Sequence, residues 1–505
     1  MSNQKTEYRN PWFWVPSLYF AQGIPYVMVM SVSVMMYKRL GVSNTDIAFF
    51  TSLLYFPWFL KFAWGPFVDM FKTKRFWTVT MQFFVAAALF GIALSLPTSY
   101  FWHLTLFVFA LMAFSSATHD IAADGFYMLS LPQKDQAAFV GVRSTFYRIA
   151  TIVGSGLLVI IAGELEDKIG IKGAWSIVFV VMGILFLILF LYHKFILPYP
   201  PEDKGTLSDR KLTAKQILLL FGGFLLVAVS FFVLYEILNL LLSLFGISSM
   251  AKTITSTILL VILAVVLFRT IVASKVDKFE NSVHKDDTFT PFIEFLKAFV
   301  VFMRKKDIWI ILAFLLFFRF AEAQLVKLVQ PFLLDPRDKG GLGLTTSEVG
   351  IVYGTIGVLA LTAGGLLGGY VISKRGLKWW LWPMVLIMHL PDLVFVYLSQ
   401  TQPTNLFIIS ASVAFEQFGY GFGFTAYMIF MIMISQGEHK TAHYAICTGI
   451  MALGMMIPGM FSGALQEAIG YSNFFLWVVA STIPGFIVTA LVKIDPEFGI
   501  KSDKK

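Results

Sequence analysis

Ionised side chains sit inside stretches of this chain that are otherwise at home only in lipid. Lys61, Asp120, Asp124, Arg148, Arg319, Glu322, Lys327 and Glu416 all fall within long apolar runs. A charge near a bilayer centre costs about 2.5–3.5 kcal/mol on insertion scales. A chain that carries several of both signs offsets that cost by pairing them around a watery cavity. The pattern predicts an all-α polytopic membrane protein with an internal polar pocket, and its chemistry is the movement of a solute.

Composition agrees. Of 505 residues, 57% are hydrophobic and 14% charged, where soluble domains carry about 25% charged residues. Apolar runs near 12–37, 46–67, 77–96, 102–129, 141–163 and 174–197 read as six spans. A second set lies near 307–334, 347–373, 379–399, 404–435, 441–466 and 473–493. Two more runs, near 215–246 and 252–274, lie between the sets. That makes about fourteen segments of the length hydrocarbon requires. No cleavable signal peptide is evident.

Basic residues collect in alternate loops, which explains the net charge of +9 without nucleic acid. Both termini are expected on the cytoplasmic side. Lys38, Arg39 and the mixed cluster at 335–339 break the rule. The single cysteine, Cys447, excludes an intrachain disulfide and reads as a small packed residue.

Asp120 and Asp124 are four apart and share one helix face. Their repulsion is relieved by a proton, as a proton-coupled carrier needs, or by cations such as Arg143 and Arg148; both readings stand. Lys61, Arg148, Arg319 and Lys327 make a central cavity positive and suited to an anion, although Lys327 also has the length to snorkel towards the interface. Arg319 and Glu322, three apart, are placed to pair. Glu322 and Asp124 are the leading candidate proton carriers, with Asp120 and Glu416 behind them. His119 is either a relay beside Asp120 or a hydrogen-bonding link to a neighbouring helix.

Gly23-Ile24-Pro25 is expected to break or kink the first helix. Gln22 reads as a substrate contact or as helix-packing glue. Tyr19, Tyr26, Tyr55 and Trp58 offer flat faces to a sugar ring, or simply pack. Trp12 and Trp14 read as an interfacial belt. His389-Leu390-Pro391-Asp392 is too short for an acyltransferase motif. The glycines of Gly419–Gly423 lack the basic residue of a phosphate loop and read as points of close helix approach. The inserted pair carries Glu236 and Asn239 and reads as a passive lateral hairpin. Thr290-Pro291 starts an amphipathic segment expected at the interface.

Gly65-Pro66-Phe67-Val68-Asp69 with Lys72, Lys74 and Arg75, repeated in form by Gly369–Gly376, resembles the cytoplasmic loop signature of the major facilitator fold. That resemblance implies two six-helix bundles, 1–197 and 307–505, rocking about a midplane site. The segment 198–306 joins them. It also implies a gating role for Asp69 and Arg75. Further motifs narrow the likeness. Phe20-Ala21-Gln22-Gly23-Ile24-Pro25, Lys61-Phe62-Ala63-Trp64-Gly65-Pro66, the run from Ser116 through His119-Asp120-Ile121 to Asp124, Tyr147-Arg148, Arg319 with Glu322, and Phe415-Glu416-Gln417 together resemble the AmpG-type muropeptide permeases.

His119 stands where that family usually has Gln. Acetyl-CoA transporters share the Asp120–Asp124 run. The resemblance implies uptake of an anionic sugar or sugar-peptide across a bacterial inner membrane; the intramembrane carboxylates point to proton symport, with sodium coupling, through a carboxylate beside backbone carbonyls, as the alternative. The substrate contacts would be Lys61, Arg148, Arg319, Gln22, Tyr55, Trp58 and Glu416. A uronate, a sulfated disaccharide, an acyl-CoA or a non-transporting sensor are the alternatives. No enzyme chemistry, cofactor or metal is expected, and the protein is expected to be a monomer in membrane lipid.

Overall fold

The computed structural model describes residues 9–204 and 290–500, with four isolated positions between them. The described residues form helices and no strand, in line with the all-α reading. The chain divides into two compact units. One comprises residues 1–68, 73–204 and 309–505, and the other residues 69–72 and 205–308. Within the second unit, α8 spans Thr290–Met303, where the sequence called for an amphipathic helix. Apart from the four isolated positions, the inserted pair with Glu236 and Asn239 lies outside the described residues.

In the first unit, α1 runs Pro11–Arg39. It is followed by α2 Asn44–Leu53, α3 Phe56–Met70, α4 Lys74–Ser95, α5 Phe101–Ser130, α6 Gln133–Thr151 and α7 Leu158–Ile196. The second half comprises α9 Ile308–Phe317, α10 Phe320–Leu334, α11 Val358–His389, α12 Leu393–Thr401, α13 Leu406–Ile434, α14 Lys440–Ala480 and α15 Ile483–Leu491. Eight stretches are long and apolar enough to cross a membrane. Three of them run 58, 56 and 52 residues, over twice the usual span of about 20. Each is interrupted by one glycine at positive φ: Gly170 at 77°, Gly376 at 79° and Gly470 at 76°. That conformation is open to glycine at little cost, so a single residue separates consecutive helices.

α1 continues as a helix through Pro25 and loosens only beyond it, into a π turn at Met28–Val32. The helix is therefore not broken at Gly23-Ile24-Pro25. Gly23 instead lets α1 meet α6, because a Cβ there would lie 2.8 Å from the Ala150 Cβ and 2.9 Å from the Tyr147 carbonyl. Trp14 departs from the interfacial reading as well. It is fully buried, edge-on to Phe126 and Tyr127, whereas Trp12 is exposed. The Gly419–Gly423 run does allow close approach: a Cβ on Gly421 would lie 2.1 Å from the Leu361 carbonyl oxygen.

The two halves close on each other at the end of the unit that holds Arg39 and Asn44. Lys38 pairs with Asp335 at 2.7 Å. Asn44 Nδ2 donates to Gln466 Oε1 at 2.7 Å and to the Tyr471 hydroxyl at 2.8 Å, and Tyr471 donates to Asp335 at 2.6 Å. Arg39 holds Glu166 at 2.8 Å, and Thr346 donates to the same carboxylate at 2.9 Å. Lys38 and Arg39, which broke the loop-charge rule, are thus neutralised in ion pairs.

Glycines set the spacing here. A Cβ on Gly354 would sit 1.9 Å from the Ser155 carbonyl oxygen, and one on Gly463 2.0 Å from that of Asn44. Small residues of this kind let helix backbones touch in a membrane. At the opposite end, the Asp203 carboxylate accepts from the backbone N–H groups of Lys74 and Arg75 at 2.6 and 2.9 Å, capping the start of α4.

Candidate functional site: a charged chamber between the halves

Asp124 sits on α5, with its side chain 45% exposed. It pairs with Arg143 at 2.6 Å and accepts from the Tyr19 hydroxyl at 3.0 Å. The Arg143 guanidinium lies 4.2 and 4.4 Å from the Tyr19 and Tyr127 ring centroids. The ion-pair partner of Asp124 is therefore Arg143. Arg148, the other candidate, turns to the opposite half and reaches the Thr362 hydroxyl on α11 at 3.4 Å. One turn before Asp124, Asp120 accepts from the Trp58 indole at 3.1 Å. Gln22 also hydrogen-bonds Asp120, and Lys61 is within electrostatic reach.

Tyr26 lies between the charged groups of the two halves. It stands edge-on to Trp58 at 5.3 Å, is hydrogen-bonded with Tyr55, and lies within electrostatic reach of Asp120 on one side and Arg319 on the other. Arg319 is 6% exposed, donates to the Tyr420 hydroxyl, and lies 4.7 Å from the Phe424 ring. It does not bridge to Glu322, contrary to expectation. Arg148 shares Tyr420 as a neighbour. Among the described residues, Lys61, Arg148 and Arg319 have no carboxylate within 4.0 Å.

Glu322 and Glu416 are each 1% exposed. Glu416 accepts from Gln417 at 2.9 Å, and both face Asp392, which sequence reasoning passed over. A signal was present: an acid directly after a helix-breaking proline inside an apolar run. Lys327 does not snorkel. It is 2% exposed, donates to the Thr51 hydroxyl at 3.0 Å, and sits 5.2 Å from the Tyr55 ring.

His119 points into the N-terminal half. Ser17, His193, Gln82 and His119 form one buried chain, with contacts of 2.9, 2.9 and 3.0 Å. The Gln82 amide oxygen can only accept and its nitrogen only donates, which assigns the Nε2 acceptor to His119 and the Nδ1 proton to His193. Replacing Gln82 with leucine strands both imidazoles. The expected cost is about 1–3 kcal/mol of stability with substrate affinity unchanged, read by thermal unfolding beside substrate titration.

The side chain of Asp69 is outside the described set. Arg75 is held within its own half, donating to the Lys194 and Leu197 carbonyls and lying 3.8 Å from the Tyr199 ring.

A family model, the Major Facilitator Superfamily, matches residues 17–303, more than half of the chain. The chain belongs to the Major Facilitator Superfamily. Its likeness to AmpG-type permeases extends over nearly the whole sequence. It is 23% identical over 490 residues to the anhydromuropeptide permease of Escherichia coli (strain K12), covering 95% of this chain and 79% of that protein. It is 22% identical over 479 residues to the putative transporter AmpG 4 of Rickettsia conorii (strain ATCC VR-613 / Malish 7), with 92% of each chain covered.

Among solved structures, a POT family transporter in complex with 5-aminolevulinic acid aligns with TM-score 0.62 at 14% identity, covering 94% of this chain and 95% of that one. The nucleoside transporter NupG (D323A mutant) aligns at 0.59 and 14%, covering 95% and 99%. These two show the fold. The superfamily protein is a multi-pass membrane transporter.

Proposed function

We propose that this transporter carries an anionic sugar or sugar-peptide, of the anhydromuropeptide kind, inward across a bacterial inner membrane in symport with protons. What supports the reading is that Lys61, Arg148 and Arg319 have no carboxylate within 4.0 Å among the described residues and that Arg148 and Arg319 share Tyr420 as a neighbour. An anion there would be held from both halves, by Arg148 of one and Arg319 of the other, over the shared Tyr420. Trp58, Tyr55 and Tyr26 add ring faces and Gln22 an amide, as a sugar requires. The name of the Escherichia coli relative supplies the muropeptide class.

The loop charges support cytoplasmic termini. With that orientation, the end closed by Lys38, Asp335, Asn44 and Tyr471 is the outer one, and the substrate would leave towards the cytoplasm. Asp69 and Arg75 are then gating candidates at the cytoplasmic end. Asp124 is the leading proton carrier, because it is half-exposed and already exchanges a hydrogen bond with Tyr19 and an ion pair with Arg143. Asp120 and Glu322 are the others first named. Inward proton flow supplies about 2.3 kcal/mol per charge per 100 mV.

Counterflow in proteoliposomes tests the substrate class against anhydromuropeptides, neutral disaccharides, uronates, sulfated disaccharides and acyl-CoA. Exchange of the muropeptides alone is expected; exchange of neutral sugars alone would remove the anion site. Uphill uptake should rise as the outer medium is acidified and stop with a protonophore. An Asp124→Asn variant is expected to keep exchange and lose accumulation. Normal accumulation removes Asp124 from the carriers.

A further inference from the structure

Glu322, Asp392 and Glu416 come from three different places, α10, the α11–α12 junction and α13. Each brings one carboxylate oxygen to within 4.8 Å of the others. All three residues are 1% exposed. Glu322 Oε1 and both oxygens of Asp392 accept no hydrogen bond among the described residues. His389 points to the same space. It is 3% exposed, neither ring nitrogen has a hydrogen-bond partner among the described residues, and Nδ1 stands 3.8 Å from Asp392 Oδ2.

The backbone converges on this place as well. Pro391 has no N–H with which to bond the Ile387 carbonyl four residues back, and the helix tightens to a 3₁₀ turn at Leu390–Asp392. The Ile387 carbonyl oxygen faces Gly419, where a Cβ would lie 2.3 Å from it. Gly419 is one turn along α13 from Glu416. A broken span that frees carbonyls beside carboxylates is the way interrupted membrane helices hold Na⁺.

We propose that Glu322, Asp392 and Glu416, backed by His389, hold a Na⁺ ion. Three buried carboxylates need a cation, because leaving such charges uncompensated in an apolar interior costs several kcal/mol per ion. Oxygen donors at this spacing suit a hard cation bound at about 2.3–2.6 Å. Arg319, within electrostatic reach of Glu322, already offsets one of the three negative charges and lowers what the bound ion has to supply. The assignment moves Glu322 from the proton carriers to the Na⁺ ligands and leaves Asp124 and Asp120 as carriers. Its role in coupling rests on the transport reading above; the binding itself needs no substrate.

The test uses the full-length protein in lipid nanodiscs without substrate, with radiolabelled Na⁺ against choline. Saturable binding of one Na⁺ per chain is expected, together with an unfolding temperature that rises with Na⁺ but not with K⁺ or choline. Asp392→Asn and Glu416→Gln should each weaken binding at least ~10-fold, while the exposed Glu438→Gln should leave it unchanged. The absence of saturable Na⁺ binding overturns the proposal, as does binding that survives both substitutions. Stabilisation by acid alone, or by Ca²⁺ in place of Na⁺, overturns it too. If the variants fail to fold, the Na⁺-dependent unfolding of the unmodified protein still decides. Na⁺ binding alongside failed muropeptide counterflow would remove the substrate reading alone; counterflow without Na⁺ binding would remove this one alone.

Discussion

Replacing Arg319 with glutamine is expected to lower anion uptake by at least ~30-fold, the effect of removing one partner from a buried charge pair worth about 2–5 kcal/mol. The side chain is 6% exposed, and its described contacts are a phenol and an aromatic face, not a carboxylate. A bound anion would therefore be the principal charge it meets. Arg319→Lys keeps the charge but loses the planar fork that matches a carboxylate, and a smaller loss of about tenfold is expected. Arg319 also lies near Glu322, so a purely structural role must be separated. The Arg319→Gln/Glu322→Gln double variant removes both charges together. It should recover thermal stability and leave anion uptake at the low level of the single variant. Recovery of uptake would show that Arg319 serves charge balance only.

Gly354→Leu is expected to hold the Asn44 end of the molecule open. Its Cβ would fall 1.9 Å from the Ser155 carbonyl oxygen and 2.6 Å from the Gly156 nitrogen, both backbone atoms. No rotamer change can relieve that clash, so the helices must part. Overpacking of this kind costs about 1–3 kcal/mol, equivalent to a roughly 5–150-fold change in the closed population. Gly463→Leu, wedged against the Asn44 carbonyl at 2.0 Å, should act alike. Cys447 is the single cysteine, so a Cys447→Ser background carrying Gln330→Cys gives one reporter. Gln330 is 2% exposed and donates to Ser31 at 2.6 Å. A membrane-impermeant maleimide should label it slowly in the parent and quickly in either wedge variant. Slow labelling in all three, with normal uptake, would show that these glycines are not what closes this end.

Much of the chamber was legible one residue at a time. Lys61, Asp120, Asp124, Arg148 and Arg319 each announce themselves, because a charge in an apolar run carries a cost wherever the helix goes. Their partners were legible only in part. Asp124 pairs with Arg143, one of the two cations the sequence offered, but Arg148 reaches Thr362 and Arg319 turns to Tyr420 instead of its near neighbour Glu322. His119 beside Asp120 was open to a relay or to a link with a neighbouring helix, and it is tied to Gln82 on another helix. Trp14 had the composition of an interfacial anchor and is core. Asp392 and His389 were set aside as a failed motif and stand beside Glu322 and Glu416.

Local hydropathy and the cost of intramembrane charge were enough to establish a helical, multi-pass transporter and the inventory of its polar residues. Both act over a few neighbouring residues, so a linear string carries them. Pairing is another matter: Lys38 meets Asp335, and Asn44 meets Tyr471, across hundreds of residues. In a medium of low dielectric, which charge faces which decides whether a group is a latch, a substrate contact or a cation ligand, and only packing brings those partners together.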